Sequence, residues 1–132
     1  MLYFTGDLHG EYSRYLCLER YTGEKLTGDD YLFVCGDYGF LFYPVGSNGY
    51  TEQQRQLNEI EKLPYTTLFC DGNHENFDLL ESYSVEVWNG GKVHRIRSNI
   101  LHLMRGQVYN IDGTKVFSMG GAYSIDKYMR QS

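Results

Sequence analysis

Long apolar runs are missing from this chain, and no stretch approaches the ~20 residues that a membrane-spanning helix needs. No association with a membrane is therefore expected. Basic charge is scarce as well. Twelve Lys and Arg stand against seventeen Asp and Glu, a formal net charge of −5. That excludes a protein that holds nucleic acid by charge alone, because such binders carry basic patches that displace phosphate counterions. Stable nucleic-acid binding is not expected. There are three cysteines, Cys17, Cys35 and Cys70, and no CxxC pair. An odd, scattered set excludes a disulfide framework and a structural zinc site. No G-x-G-x-x-G follows the first apolar run, and no Gly-Lys-Ser/Thr is present, so dinucleotide-binding and P-loop readings fail. The start, Met1 to Asp7, lacks the basic n-region of a signal peptide, and the cytoplasm is the expected location.

What is there is globular. Hydrophobic residues make up 42% of the 132 residues and charged residues 22%, which predicts one folded domain over 1–132. Thirteen tyrosines and seven phenylalanines raise the aromatic fraction to 16%, and most of these are expected in the core and strands. Fifteen glycines are the more informative feature, because many sit beside acidic or amide residues.

Three short apolar runs open the chain: Leu2–Thr5, Tyr31–Cys35 and Thr66–Cys70. Each is aromatic or β-branched and is stopped by Gly or Asp. They read as buried strands of a parallel sheet, in which continuous apolar runs replace alternation. Cys35 and Cys70 are expected to be small buried strand residues. Between the runs, Glu11 to Tyr21 carries a helical apolar stripe. Thr51 to Leu63 is a better helix, with Thr51 as cap and Gln54 completing a capping box. Its outer face is expected to be solvated, and Asp29-Asp30 to form a turn before the second strand. Strand–helix–strand at this spacing is the crossover unit of parallel sheets. Glu75 to Tyr83 predicts a short helix. Lys92–Arg97, Ile100–Arg105, Gln107–Ile111 and Lys115–Met119 then read as strands of an antiparallel meander, with a hairpin turn at Asp112-Gly113. His94 and His102 fall in these strands and are expected to be ordinary strand residues.

Each of the first three strands ends in the same kind of residues: Gly6-Asp7-Leu8-His9-Gly10, Gly36-Asp37-Tyr38-Gly39 and Asp71-Gly72-Asn73-His74-Glu75. Ligands of open α/β sheets bind beyond the carboxyl ends of the strands, so the topology gathers Asp7, His9, Asp37, Asn73 and His74 at one edge. Asp7 and His9, at i and i+2 of extended backbone, would project to one side. Hard anionic oxygens mixed with neutral imidazoles suit Mn²⁺, Fe or Zn²⁺ better than an all-oxygen Ca²⁺ or Mg²⁺ site. Asp37 has two oxygens with which to bridge two ions, and Asn73 adds a carbonyl oxygen. Two ions about 3.5–4 Å apart form a known device for phosphate ester hydrolysis: they acidify water and clamp the phosphate oxygens. His74 is placed to donate a proton to the leaving oxygen or to hydrogen-bond the phosphate.

GDLHG at 6–10, GD at 36–37 and GNHE at 72–75, in that order and each after an apolar run, resemble the calcineurin-like metallophosphoesterase superfamily. The stretch from Trp88 to Asp126 is similar to a small bacterial and phage-type branch. The resemblance implies a sandwich of two mixed sheets flanked by helices. It implies two divalent ions, with Mn²⁺ foremost and Fe or Zn²⁺ as alternatives, and a phosphomonoester or phosphodiester substrate. It also implies that Asp7 and His9 bind the first metal, Asp37 bridges, Asn73 binds the second metal, and His74 assists the leaving group.

Two departures qualify the resemblance. The family's usual GDxxD followed by Arg is absent, since Phe40 and Leu41 stand there. That argues against the serine/threonine protein phosphatase branch and removes the usual carboxylate partner of His74, a place for which Asp71 and Glu75 are nearby in sequence. The two later motifs that bring further histidines are absent too, since the only histidines are His9, His74, His94 and His102. The chain is therefore expected to be an N-terminal portion of the family fold. Its second metal should be held more weakly, and unpaired edges and apolar surface should be exposed. A homo-oligomer or a complementing chain would supply what is missing, and the rival reading is a non-catalytic interaction module. Asp126 and Arg130 are weaker candidates for facing a phosphate.

Overall fold

The computed structural model describes residues 1–6, 8–17, 23, 26–71 and 76–119. Its main layer is a six-stranded sheet. Strands β1 (Leu2–Thr5), β2 (Tyr31–Cys35) and β3 (Thr66–Cys70) form its parallel half. Strands β4 (Val85–Trp88), β5 (Gly91–Arg97) and β6 (Ile100–Leu103) complete it in the order β1-β2-β3-β6-β5-β4. All three apolar runs form the expected strands, but only β2 and β3 have buried interiors; β1 is the edge strand, half-buried at Leu2, Tyr3 and Thr5 and exposed at Phe4. The later strands differ from a plain meander: β6 pairs parallel to β3, then antiparallel to β5. The sheet is therefore mixed, and β6 joins its two halves. Strands β7 (Gln107–Ile111) and β8 (Thr114–Ser118) form a separate antiparallel pair, turned by Asp112 and Gly113, both at positive φ. A second two-residue turn, Asn89-Gly90, closes β4 on β5 in the same way.

Side-chain alternation puts one apolar set on each face of the sheet. Leu32, Val34 and Phe69 face the helices, with Leu57, Ile60, Leu79 and Leu80. Phe33, Leu68, Leu101 and Leu103 face the other way, onto Tyr109 and Ile111 of the small pair. Burial pushes the Tyr109 hydroxyl up to about 12. That hydroxyl donates to the Lys92 carbonyl at 2.5 Å and accepts from the Met104 N–H at 3.0 Å, which ties the pair to the main sheet.

Three helices lie within the described residues: α1 (Ser13–Leu16), α2 (Asn48–Glu61) and α3 (Phe77–Glu81). Helix α2 begins one turn earlier than the Thr51 cap predicts. Ser47 is extended, and its Oγ accepts from the Tyr50 N–H at 3.1 Å. At its other end, Asn99 Nδ2 donates to the carbonyls of Ile60, Leu63 and Tyr65, so the β5–β6 turn caps the helix. Asp29-Asp30 is the expected turn, with Asp30 accepting from the Thr27 N–H. Cys35 is exposed, not buried, because it is the last residue of its strand. No helix among the described residues is long and apolar enough to cross a membrane.

Candidate metal and phosphoester site

The loops that leave β1 and β2 are zipped together. The Asp37 carbonyl accepts from the N–H groups of Leu8 and His9 at 3.1 and 2.9 Å, and the Tyr38 carbonyl accepts from Gly10 at 2.9 Å. Glycine is required at this seam. A Cβ on Gly39, at φ +79°, would lie 2.4 Å from Gly10 N, and one on Gly10, at φ +70°, would lie 2.8 Å from Gly39 O. His9 and Asp37 are themselves left-handed, at φ 50° and 42°. His9 thus leaves the extended backbone on which i, i+2 alternation was expected, and the turn, not the strand pleat, aims its ring. The outcome is an approach of His9 Nε2 to Asp37 Oδ2 of 4.0 Å.

Two elements hold Asp37 in place. Its neighbour Tyr38 is fully buried, stacks on Phe69 at 4.4 Å, and shares a 2.6 Å hydrogen bond with Tyr15, whose hydroxyl donates to Thr67 Oγ1. Burial pushes the Tyr15 hydroxyl well above its ordinary value, so it remains a donor. From α2, the buried Gln53 donates Nε2–H to the Gly39 carbonyl at 2.6 Å, while its Oε1 accepts from Phe42 and Tyr43. Nothing in the sequence pattern singled out Gln53. Its signal is a polar residue on the inner face of an amphipathic helix.

Of the expected site residues, the structure brings His9 and Asp37 together at the carboxyl edge of the parallel strands. Asp7, Asn73 and His74 lie outside the described residues, as do Glu75, Asp126 and Arg130. Two ligands at about 2.1 Å from one ion span at most about 4.2 Å. The 4.0 Å separation of His9 Nε2 and Asp37 Oδ2 therefore lets both reach a single ion, and an imidazole with a carboxylate is a fitting donor set. Among the described residues no group of three or more His, Cys, Asp or Glu gathers as a metal cluster.

A second polar cluster lies at the end of β3. Asp71, 2% exposed, accepts from His102 Nε2 at 2.9 Å and from Arg105 Nε and Nη2 at 2.8 and 2.6 Å. His102 Nδ1 in turn lies 3.0 Å from His94 Nδ1, with the two rings coplanar to within 3°. Sheet register explains the row. Phe69 pairs with His102 and His102 with His94, so all three side chains stand on the helix-covered face. Both histidines are strand residues, as expected, and the register joins them in a buried polar row. Burial pushes the Asp71 carboxyl up, but the hydrogen bonds from His102 and Arg105 outweigh it and hold the group below the usual range. Burial, with His102 adding to it, lowers the pKa of His94.

A mixed sheet with helices on one face, and with a carboxylate and an imidazole meeting at the ends of its parallel strands, is consistent with the N-terminal portion of a metallophosphoesterase. The family model described as calcineurin-like phosphoesterase matches residues 1–131, and the chain belongs to that family. The chain is also 32% identical, over 130 residues, to a lariat debranching enzyme of Entamoeba histolytica. That alignment covers 89% of this chain and 34% of the relative, so the chain spans about a third of the relative's length. No solved structure matches.

Proposed function

We propose that this chain carries the first ligand set of a phosphoesterase that works with two divalent ions, with Mn²⁺ foremost and Fe or Zn²⁺ as alternatives. Asp7 and His9 would hold one ion, Asn73 the second, and Asp37 would contribute to both. The substrate is a phosphomonoester or phosphodiester, and the name of the relative favours the diester. The observation that carries the reading is the approach of His9 to Asp37 across the zipped loops. When bound, the ions acidify water and neutralise charge on the phosphate.

The chain's own residues do the rest. The Asp37 carbonyl orients the His9 turn by taking two N–H groups, and the Tyr38 ring excludes water beneath the carboxylate. His74 gives a proton to the leaving oxygen. Asp71 accepts from His102 and Arg105, which fixes its carboxylate at the end of β3.

The test uses p-nitrophenyl phosphate and bis-p-nitrophenyl phosphate with added Mn²⁺, alongside the metal content of the chain. Metal-dependent hydrolysis that falls at least about 100-fold in Asp37→Asn, with loss of bound metal, supports the reading. Metal binding and hydrolysis that are both insensitive to Asp37→Asn overturn it.

A further inference from the structure

A cavity of about 500 Å³ opens beside the Asp71 cluster. Among the described residues its floor is apolar, formed by Phe77, Leu80 and Met104, and its polar walls include His94, Glu81 and Arg105. The hydrogen-bond chain decides what those walls offer. An ionised carboxylate only accepts, so His102 must present Nε2–H to Asp71. In a neutral His102 the Nδ1 is then bare, and His94 donates Nδ1–H to it across 3.0 Å. The ring nitrogen left over, His94 Nε2, is therefore an acceptor on a side chain only 6% exposed that lines the cavity. The tautomer follows from the network, not from any property of His94 alone.

The same logic disfavours an anion. Arg105 is the one cation among the described lining residues, and its Nε and Nη2 are both taken by Asp71. Glu81 adds a second carboxylate. Two acceptors over an apolar floor, with one guanidinium nitrogen, Nη1, to spare, call for an uncharged flat group that donates N–H and accepts once. The Arg105 guanidinium lies over the Phe77 ring, 5.6 Å from its centroid, so a flat cation already stacks on an aromatic wall of the cavity.

We propose that this cavity is a nucleobase subsite. The exocyclic amine of a cytosine- or adenine-type base donates to His94 Nε2 and Glu81, and the ring lies over Phe77 and Met104. The choice of a nucleobase over other flat donors rests on the phosphoesterase reading above, which makes nucleotides chemically suitable substrates. Through Asp71, the subsite joins the chain one residue before the loop that carries Asn73 and His74.

The test needs no phosphate. In ¹⁵N-labelled protein, long-range ¹H–¹⁵N correlation of the imidazoles reads each tautomer while cytidine and, separately, uridine are titrated. The expected result is Nδ1–H on His94 and Nε2–H on His102. Cytidine should shift His94 Nε2 saturably, and uridine, which lacks the amine, should bind at least ten-fold more weakly. Glu81→Gln, on an exposed side chain, should weaken cytidine about ten-fold with an unchanged melting temperature. An Nε2–H tautomer on His94, equal binding of the two nucleosides, binding of neither, or indifference to Glu81→Gln overturns the proposal. Hydrolysis of bis-p-nitrophenyl phosphate, which has no base, is followed in parallel. Its loss with cytidine binding intact would sink the phosphoesterase reading alone, and the converse would sink the subsite alone.

Discussion

Gln53 of α2 donates to the Gly39 carbonyl at 2.6 Å, and the same amide accepts the N–H groups of Phe42 and Tyr43 through its oxygen. One buried side chain therefore fixes both sides of the loop that follows Asp37. Gln53→Leu leaves those backbone groups without their partner. Each buried unsatisfied group costs about 1–3 kcal/mol. Urea unfolding should show a loss in that range or above, and Mn²⁺ affinity should fall because Asp37 is no longer held toward His9.

Gly39→Ala should be more damaging at the site than in the core. The new Cβ would sit 2.4 Å from the backbone of Gly10, and neither partner is a flexible side chain. The left-handed conformation adds about 1–2 kcal/mol for an L-residue. The expected outcome is a lower melting temperature and loss of metal binding. A variant that keeps both would show that the zipped loops do not position the ligands.

Gly91→Ala tests the join between the two sheets. Its Cβ would meet the Tyr109 ring at 2.5 Å, and that ring is fully buried. Overpacking of this kind typically costs about 1–3 kcal/mol. Thermal melts should register the loss, while His94 and His102, on the opposite face of the sheet, should keep their imidazole resonances.

His94 gives the fold a pH dependence of known sign. Its folded pKa is depressed below the ordinary value of 6.5, by burial first and His102 second. The unfolded chain therefore takes up its proton first as pH falls. Stability from the neutral ring is full above pH 6.5 and is lost as pH drops from there through the folded value. Denaturant unfolding between pH 7.5 and 5 should show this loss in the native chain. His94→Gln, which does not titrate, should show less of it, and an equal slope in both would rule out His94 as the source.

Much of the site was legible because its signals are local. The runs ending at Thr5, Cys35 and Cys70 are continuous and apolar, and each meets Gly or Asp where the strand stops, although the first becomes a half-exposed edge strand. Asp37 and His9 could be named from that punctuation alone. The extra helical turn before Thr51 was missed because Ser47-Asn48-Gly49 reads as a loop, whereas the structure shows Ser47 capping the helix and Tyr43 packed against Gly49.

By itself, the sequence determined which residues are available and at which strand ends they fall, because a strand and its stop signal are set by neighbours along the chain. The tertiary structure alone decided that β6 lies beside β3, and with it that Phe69, His102 and His94 form one row. Register between strands more than thirty residues apart leaves no mark on either strand's own pattern. The Asp71–His102–His94 chain beside the cavity exists only because that register was chosen.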